Sequence, residues 1–249
     1  MCKFFRLILV GTLALFIVIL FMEPAIAGPG GNIASLMFRT FFFGSFWGKI
    51  ILACLVILFL PFIIYTYIKE FIAQRRTLKD LSRLARISDH FDWLLLRDRV
   101  TDSFFRIHTA WRKEDMKEAS EWMTDWYWKN QQIAFLDQWA SEGLVNHCKV
   151  NSITNIKPLF LSYHGEDIGH EGSRIVIAIN AVMEDYLAKR DTGEVVEGKK
   201  GFFAVETVWT FLLKDKKWRV ANIEDIGTLL EYSLMINELP ERLDEVVSS

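Results

Sequence analysis

Phe202-Phe203-Ala204-Val205-Glu206-Thr207-Val208-Trp209-Thr210-Phe211-Leu212 is a run rich in β-branched and aromatic residues, the composition of a strand. Its two-residue period places Phe203, Val205, Trp209, Phe211 and Leu213 on one face, with Glu206 and Thr210 on the other. The first face is expected to look inward. Upstream, Arg174-Ile175-Val176-Ile177-Ala178-Ile179-Asn180-Ala181-Val182 reads the same way, giving strands over 174–187 and 201–213. Breakers separate them: residues 165–172 before the first, Asp191-Thr192-Gly193 after it, and Lys214-Asp215-Lys216-Lys217 closing a hairpin onto a further strand at 218–223. Trp218 and Val220 extend the same apolar surface. A fourth extended stretch covers 149–163.

Before the strands, residues 98–143 contain no proline and space Val100, Phe104, Ile107, Trp111, Met116, Trp122, Trp126, Ile133, Leu136 and Trp139 roughly as two or three helices require. Gly143 is placed to end the last of them. Helices first and a meandering antiparallel sheet afterwards make an α+β domain, helices on one face and the sheet curling around them. A concave sheet face carrying Phe203, Trp209, Phe211 and Trp218, with Trp111 of the helical stretch as a further candidate, has two readings: a pocket for an acyl chain or an apolar side chain, or aromatics that fill the core.

The chain of 249 residues is 51% hydrophobic and 24% charged, but these averages join two compositions. From Phe4 to Ile68 the charges are Arg6, Glu23, Arg39 and Lys49. Residues 1–27 combine Lys3 and Arg6, an apolar run, Pro24 and Ala25-Ile26-Ala27, the order of a signal peptide or of a first transmembrane helix. A glycine-containing linker, 28–46, follows, with Phe41-Phe42-Phe43 suited to the bilayer surface. Residues 47–68 are then apolar over the length that crosses a bilayer, at about 1.5 Å per residue for roughly 30 Å of hydrocarbon. Pro61 is tolerated within such a helix, and Trp47, Tyr65 and Tyr67 suit its interfaces.

Lys69, Arg75, Arg76, Lys79, Arg83 and Arg86 follow the span, against Arg39 and Lys49 before it. This asymmetry predicts a cytoplasmic C-terminal domain. Residues 69–89 have helical periodicity, with Phe71, Ile72, Leu78, Leu81, Leu84 and Ala85 as the apolar positions. Arg75, Arg76, Lys79, Arg83 and Arg86 are then either contacts for anionic lipid head groups or a solvated face. The formal net charge of -2 lacks the basic footprint of a nucleic-acid binder. Cys2, Cys54 and Cys148 have no paired spacing, so neither a disulfide nor a zinc framework is expected.

A catalytic role requires ionisable groups that converge on one substrate atom. The candidates, His108, Asp125, Tyr127 and Asn180, have no diagnostic spacing, and no catalytic residue is assigned. His147, His164 and His170 lack the neighbours and scaffold of a metal site. No phosphate-binding glycine loop is present. No cofactor is expected.

Phe104-Phe105-Arg106-Ile107-His108-Thr109-Ala110-Trp111 with Asp115, then Trp139-Ala140-Ser141-Glu142-Gly143-Leu144, then Glu206-Thr207-Val208-Trp209-Thr210-Phe211 and Lys217-Trp218-Arg219-Val220-Ala221-Asn222-Ile223 carry a resemblance. In this order, behind a span and a basic helix, they resemble bacterial members of the inner-membrane translocase subunit 44-like family, whose mitochondrial relative anchors the protein-import motor. The resemblance covers residues 90–225. It implies a cone-shaped fold like that of nuclear transport factor 2, and a membrane-anchored, non-catalytic binding role in translocation or membrane-protein assembly at the bacterial inner membrane. The partners it implies are the lipid bilayer and membrane or translocation proteins. The chain departs from many bacterial members in lacking a long glycine-rich tract, and residues 226–249 are expected as an amphipathic helix and tail. Two other readings stay open: an enzyme on the cone-shaped fold acting on a small apolar substrate, and a ribosome tether at the membrane.

Overall fold

The computed structural model describes residues 46–165 and 169–240. The expected leader over 1–27, the linker up to residue 45, and the tail over 241–249 lie outside the described residues. The chain divides into two units, Met1–Tyr65 and Thr66–Ser249.

The described part of the first unit belongs to helix α1, Phe46–Leu84, which contains Pro61. It is long and apolar enough to cross a membrane. Ile57 and Leu58 are exposed.

In the second unit, α1 continues without a break through the cationic stretch. Its buried stripe is Ala73, Thr77, Asp80, Leu81 and Leu84, at helical spacing, while Phe71 and Ile72 are exposed. This corrects the expected apolar face. The polar Thr77 and Asp80 are buried because both meet Asn237: Thr77 Oγ1 donates to Asn237 Oδ1 at 3.3 Å, and Asn237 Nδ2 donates to Asp80 at 2.7 Å.

A short 3-10 turn, Asp89–Phe91, leads into α2, Trp93–Arg112. Asp92 starts α2 by accepting from the Leu94 and Leu95 amides, which satisfies two of the donors a helix N-terminus leaves free. Leu96, Val100, Phe104, Ile107 and Ala110 form its buried stripe. After the 3-10 turn Met116–Ala119, α3 (Asp125–Gln131), a π-helical segment (Gln132–Asp137) and α4 (Gln138–Ser141) run on from one another. Gly143, at φ +71, ends them, a backbone state that costs glycine least.

Four strands follow: β1 Leu144–Ser162, β2 Arg174–Lys189, β3 Val195–Lys214 and β4 Lys217–Asp225, all antiparallel in the order β1-β2-β3-β4. The β3–β4 hairpin turns on Asp215 and Lys216, both at positive φ, 51 and 59, as the twist-matching two-residue turn demands. β1 and β3 begin earlier than their residue patterns indicate, because bulges interrupt the two-residue period. β1 shifts register at three places, one beside Pro158, which sits on an edge strand where a missing amide is harmless. Bulges also bend strands.

The main core lies between α2 and one sheet face, where Phe104, Met116, Met123, Ile175, Ile177, Ile179, Trp209 and Phe211 are buried together. A smaller cluster on the opposite face joins Leu159, Val176, Ala178 and Val208 to Leu229 of α5, Leu229–Leu234. Beyond Asp225 the chain therefore departs from the expected amphipathic helix. After a 3-10 turn and α5 it extends, and Glu238 pairs with the β1 edge through Tyr163 N–H to its carbonyl and its own N–H to the Leu161 carbonyl, both 2.8 Å. The whole is α+β, helices packed on a four-stranded antiparallel open sheet.

Candidate functional site

The helix-covered face holds the aromatic residues singled out above. α2 crosses it obliquely: Arg99 Nε donates to the Trp218 carbonyl of β4 at 3.0 Å, the His108 ring lies 5.8 Å from that of Trp209 on β3, and Trp111 Nε1 donates to Asn146 Oδ1 of β1 at 3.0 Å. Trp209 and Phe211 lie under this crossing and are buried. The Trp209 ring is 5.1 Å from Phe104, and its Nε1 donates to Thr207 Oγ1 at 2.8 Å. Trp218 is buried too, donating to the His90 carbonyl at 2.8 Å. These three rings fill the core rather than line an open pocket.

Phe203 behaves differently. It shares their face, as its register with Met183 shows, but sits beyond the end of the helix cover and stays 43% exposed. The face is the expected one, but α2, which runs from Trp218 of β4 to Asn146 of β1, leaves this end uncovered. Trp111 is half-buried at this end, in an aromatic group with Trp139 at 5.8 Å and Phe135 at 6.1 Å. Together with Asn146, Cys148, Met183 and Asp185, these residues form the partly open end of the face. Asn146 and Asp185 carry no signal in the sequence beyond inward strand parity. Asn146 Nδ2 donates to Asp185 at 2.9 Å and so links Trp111 to the carboxylate.

Burial acts on two of the titratable groups near this end. His108 Nδ1 donates to the Phe104 carbonyl at 2.7 Å, and burial pushes its pKa below the ordinary value. Its ring packs 4.1 Å from that of Phe104. The Cys148 thiol is pushed up to about 12, first by burial and then by the Asp185 charge. Such a thiol is not a nucleophile at neutral pH. Tyr127, buried and also raised to about 12, sits on α3, and Asp125 is exposed at the start of that helix, 3.8 Å from Lys214. Asn180 alternates to the opposite sheet face, beside Glu206. The structure thus does not bring His108, Asp125, Tyr127 and Asn180 together.

His147 stacks on Tyr186 at 4.7 Å, the His164 backbone N–H donates to Ser173 Oγ at 3.0 Å, and His170 Nδ1 lies 3.1 Å from the Tyr163 hydroxyl. Each has a separate setting.

Of the cations after the span, Arg75, Lys79 and Arg86 are exposed, and Arg75 lies 4.5 Å over the Phe71 ring. Arg76 instead donates to the Met235 carbonyl, and Arg83 lies 3.6 Å from Asp80. A separate shallow cleft of about 250 Å³ is lined by His90, Leu95, Leu96, Arg99, Lys217 and Trp218 among others. Two of its cations have partners: Lys217 pairs with Glu121, and Arg99 stacks on Trp122 at 3.7 Å.

The model of the Tim44-like domain matches residues 78–225. The chain belongs to the Tim44-like domain family. Tim44-like proteins are associated with membranes and with membrane-linked protein translocation or import, and the domain generally serves as a non-catalytic binding or anchoring module. Among solved structures, one similar to this chain is the intermembrane space region of the chloroplast protein ARC6, at 8% identity and a TM-score of 0.36, covering 50% of this chain and 92% of that one. No curated protein matches the chain.

Proposed function

We propose that this Tim44-like protein is a membrane-anchored, non-catalytic binding module that engages protein clients in translocation or membrane-protein assembly at the bacterial inner membrane, with its C-terminal domain in the cytoplasm. The observation that carries this reading is the state of the partly open sheet end. Burial disfavours the charged forms of its His108 and Cys148, while the Phe203 and Phe135 rings remain accessible. Such a surface suits recognition by contact more than proton transfer.

The anchor reading rests on α1, whose apolar stretch carries no charge between Lys49 and Lys69. The cations Arg75, Lys79 and Arg86, exposed just beyond it, suit a negatively charged leaflet, each worth about 1 kcal/mol near the surface, and they set the orientation. Arg76 and Arg83 contribute to topology while also holding the domain.

In-cell photo-crosslinking from Trp111, Phe203 and Trp126, followed by mass spectrometry, tests the function. The expected result is adducts to membrane or translocation proteins. A pattern confined to ribosomal proteins would favour the ribosome tether. The anchor is tested separately: the protein should resist extraction by alkaline carbonate, and a reporter at Ser249 should be active in the cytoplasm only. Release by carbonate, or reporter activity on the outer side, would overturn this reading.

A further inference from the structure

Where α1 enters the second unit it has two faces. Ala73, Thr77, Asp80, Leu81 and Leu84 are buried, and Glu70, on the same side, reaches Lys157 of β1 at 3.0 Å. At about 3.6 residues per turn, Ile68, Phe71, Ile72, Arg75 and Lys79 fall on the other side, and all of them are exposed. Tyr67 beside them is exposed as well. Along this outer stripe the chemistry changes once: it is apolar through Ile72 and cationic at Arg75 and Lys79.

The uncharged run between Lys49 and Lys69 ends at Ile68. Read along the chain alone, Lys69 and Glu70 put the edge of the hydrocarbon there. The fold changes that reading for Glu70. Its side chain turns towards the sheet, where Lys157 neutralises it while also lying 3.3 Å from Glu206. A carboxylate held in this way does not face lipid, and it is the unpaired charge that is costly in a membrane. A lysine placed as Lys69 is, between the two faces, reaches the head groups along its stem. Neither charge therefore stops lipid from following the outer stripe further.

The stripe itself marks where lipid ends. The Arg75 guanidinium lies 4.5 Å over the Phe71 ring, a pair suited to the head-group layer, where rings meet acyl chains and guanidinium meets phosphate. Lys79, one turn further, is exposed with no apolar neighbour on the stripe beyond Ile72.

We propose that the bilayer covers the outer stripe of α1 through Ile72, one turn beyond the end of the uncharged run, with its head-group layer at Arg75. The turn that lipid covers on one side is the turn that Lys157 holds on the other, so the domain is seated at the head-group level. This inference rests on the reading of α1 as a membrane anchor and fixes the level of lipid along it.

The test uses the full chain in vesicles of phosphatidylethanolamine and phosphatidylglycerol. A nitroxide is attached at Ile57→Cys, Ile72→Cys or Lys79→Cys after Cys2→Ser and Cys54→Ser, and Cys148, which is buried, stays. Collisions with oxygen, which concentrates in hydrocarbon, are compared with those of a nickel chelate that remains in water. Oxygen should dominate at Ile57→Cys and Ile72→Cys, and the ratio should reverse severalfold at Lys79→Cys, about 10 Å further along the axis. Dominance of the chelate at Ile72→Cys with oxygen still dominant at Ile57→Cys would overturn the proposal and leave the anchor standing. Dominance of the chelate at all three would remove both. Oxygen dominant at Lys79→Cys too, or protection of Ile72→Cys from both reagents, as a second copy packed on the stripe would give, would also overturn it.

Discussion

Trp209 and Phe203 are six residues apart on one face of one strand, and their fates diverge because α2 covers the first and misses the second. Replacing Trp209 with alanine empties the space between Phe104, His108 and Phe211, and is expected to cost about 3–5 kcal/mol. Phe203→Ala should change stability by no more than about 0.5 kcal/mol, while weakening whatever the exposed ring engages. Urea denaturation of both variants checks the contrast. His108 makes a second prediction. Its folded pKa lies below the ordinary value of 6.5, so the unfolded chain takes up the proton first and stability falls as pH drops below 6.5. His108→Phe, which keeps a ring between Phe104 and Trp209, should flatten that fall in denaturation curves recorded at a series of pH values.

At the scale of elements, the ion triad of Lys157 is the informative contact. Its Nζ lies 3.0 Å from Glu70 of α1 and 3.3 Å from Glu206 of β3. Burial lowers its pKa, but the hydrogen bond to Glu70 and the charge of Glu206 outweigh this, and the net direction is upward from 10.5. Stability from this group is therefore complete below 10.5 and lost as pH rises through the folded value. Lys157→Met leaves two half-buried carboxylates facing each other. It should lower the melting temperature at neutral pH and abolish the lysine-linked loss in alkali, as calorimetry against pH would show.

The triad also shows what sequence reading reaches. The faces of β2 and β3, the β3–β4 turn and the role of Gly143 were legible because each rests on a local rule of period or backbone conformation. The early starts of β1 and β3 were hidden by bulges, which break the period that reveals a strand. Lys157 and Asn146 were invisible for another reason: each sits on a strand whose partners, Glu70 for one and Asp185 for the other, are fixed only by tertiary packing. The same cause misplaced the α1 stripe, where Thr77 and Asp80 outrank Phe71 and Ile72 because Asn237 comes from the far end of the chain.

For the whole molecule, Asn237 is the residue on which distant parts of the second unit meet. Its side chain accepts from the Leu161 amide at 2.9 Å and from Thr77, and donates to Asp80. Asn237→Ala strands these groups and should cost about 1–3 kcal/mol, with hydrogen exchange at Leu161 and Glu238 rising before that of β2. The contacts joined here are 157 and 160 positions apart in the chain, so their closure is entropically slow. They also form a mechanical clasp. Tension applied between Thr66 and Pro240, as when a client drags on a domain held at its other end, loads the Asn237 bonds and the Glu238 bridge before the ladders of the sheet, so that under force the clasp should rupture first and the meander remain folded behind it.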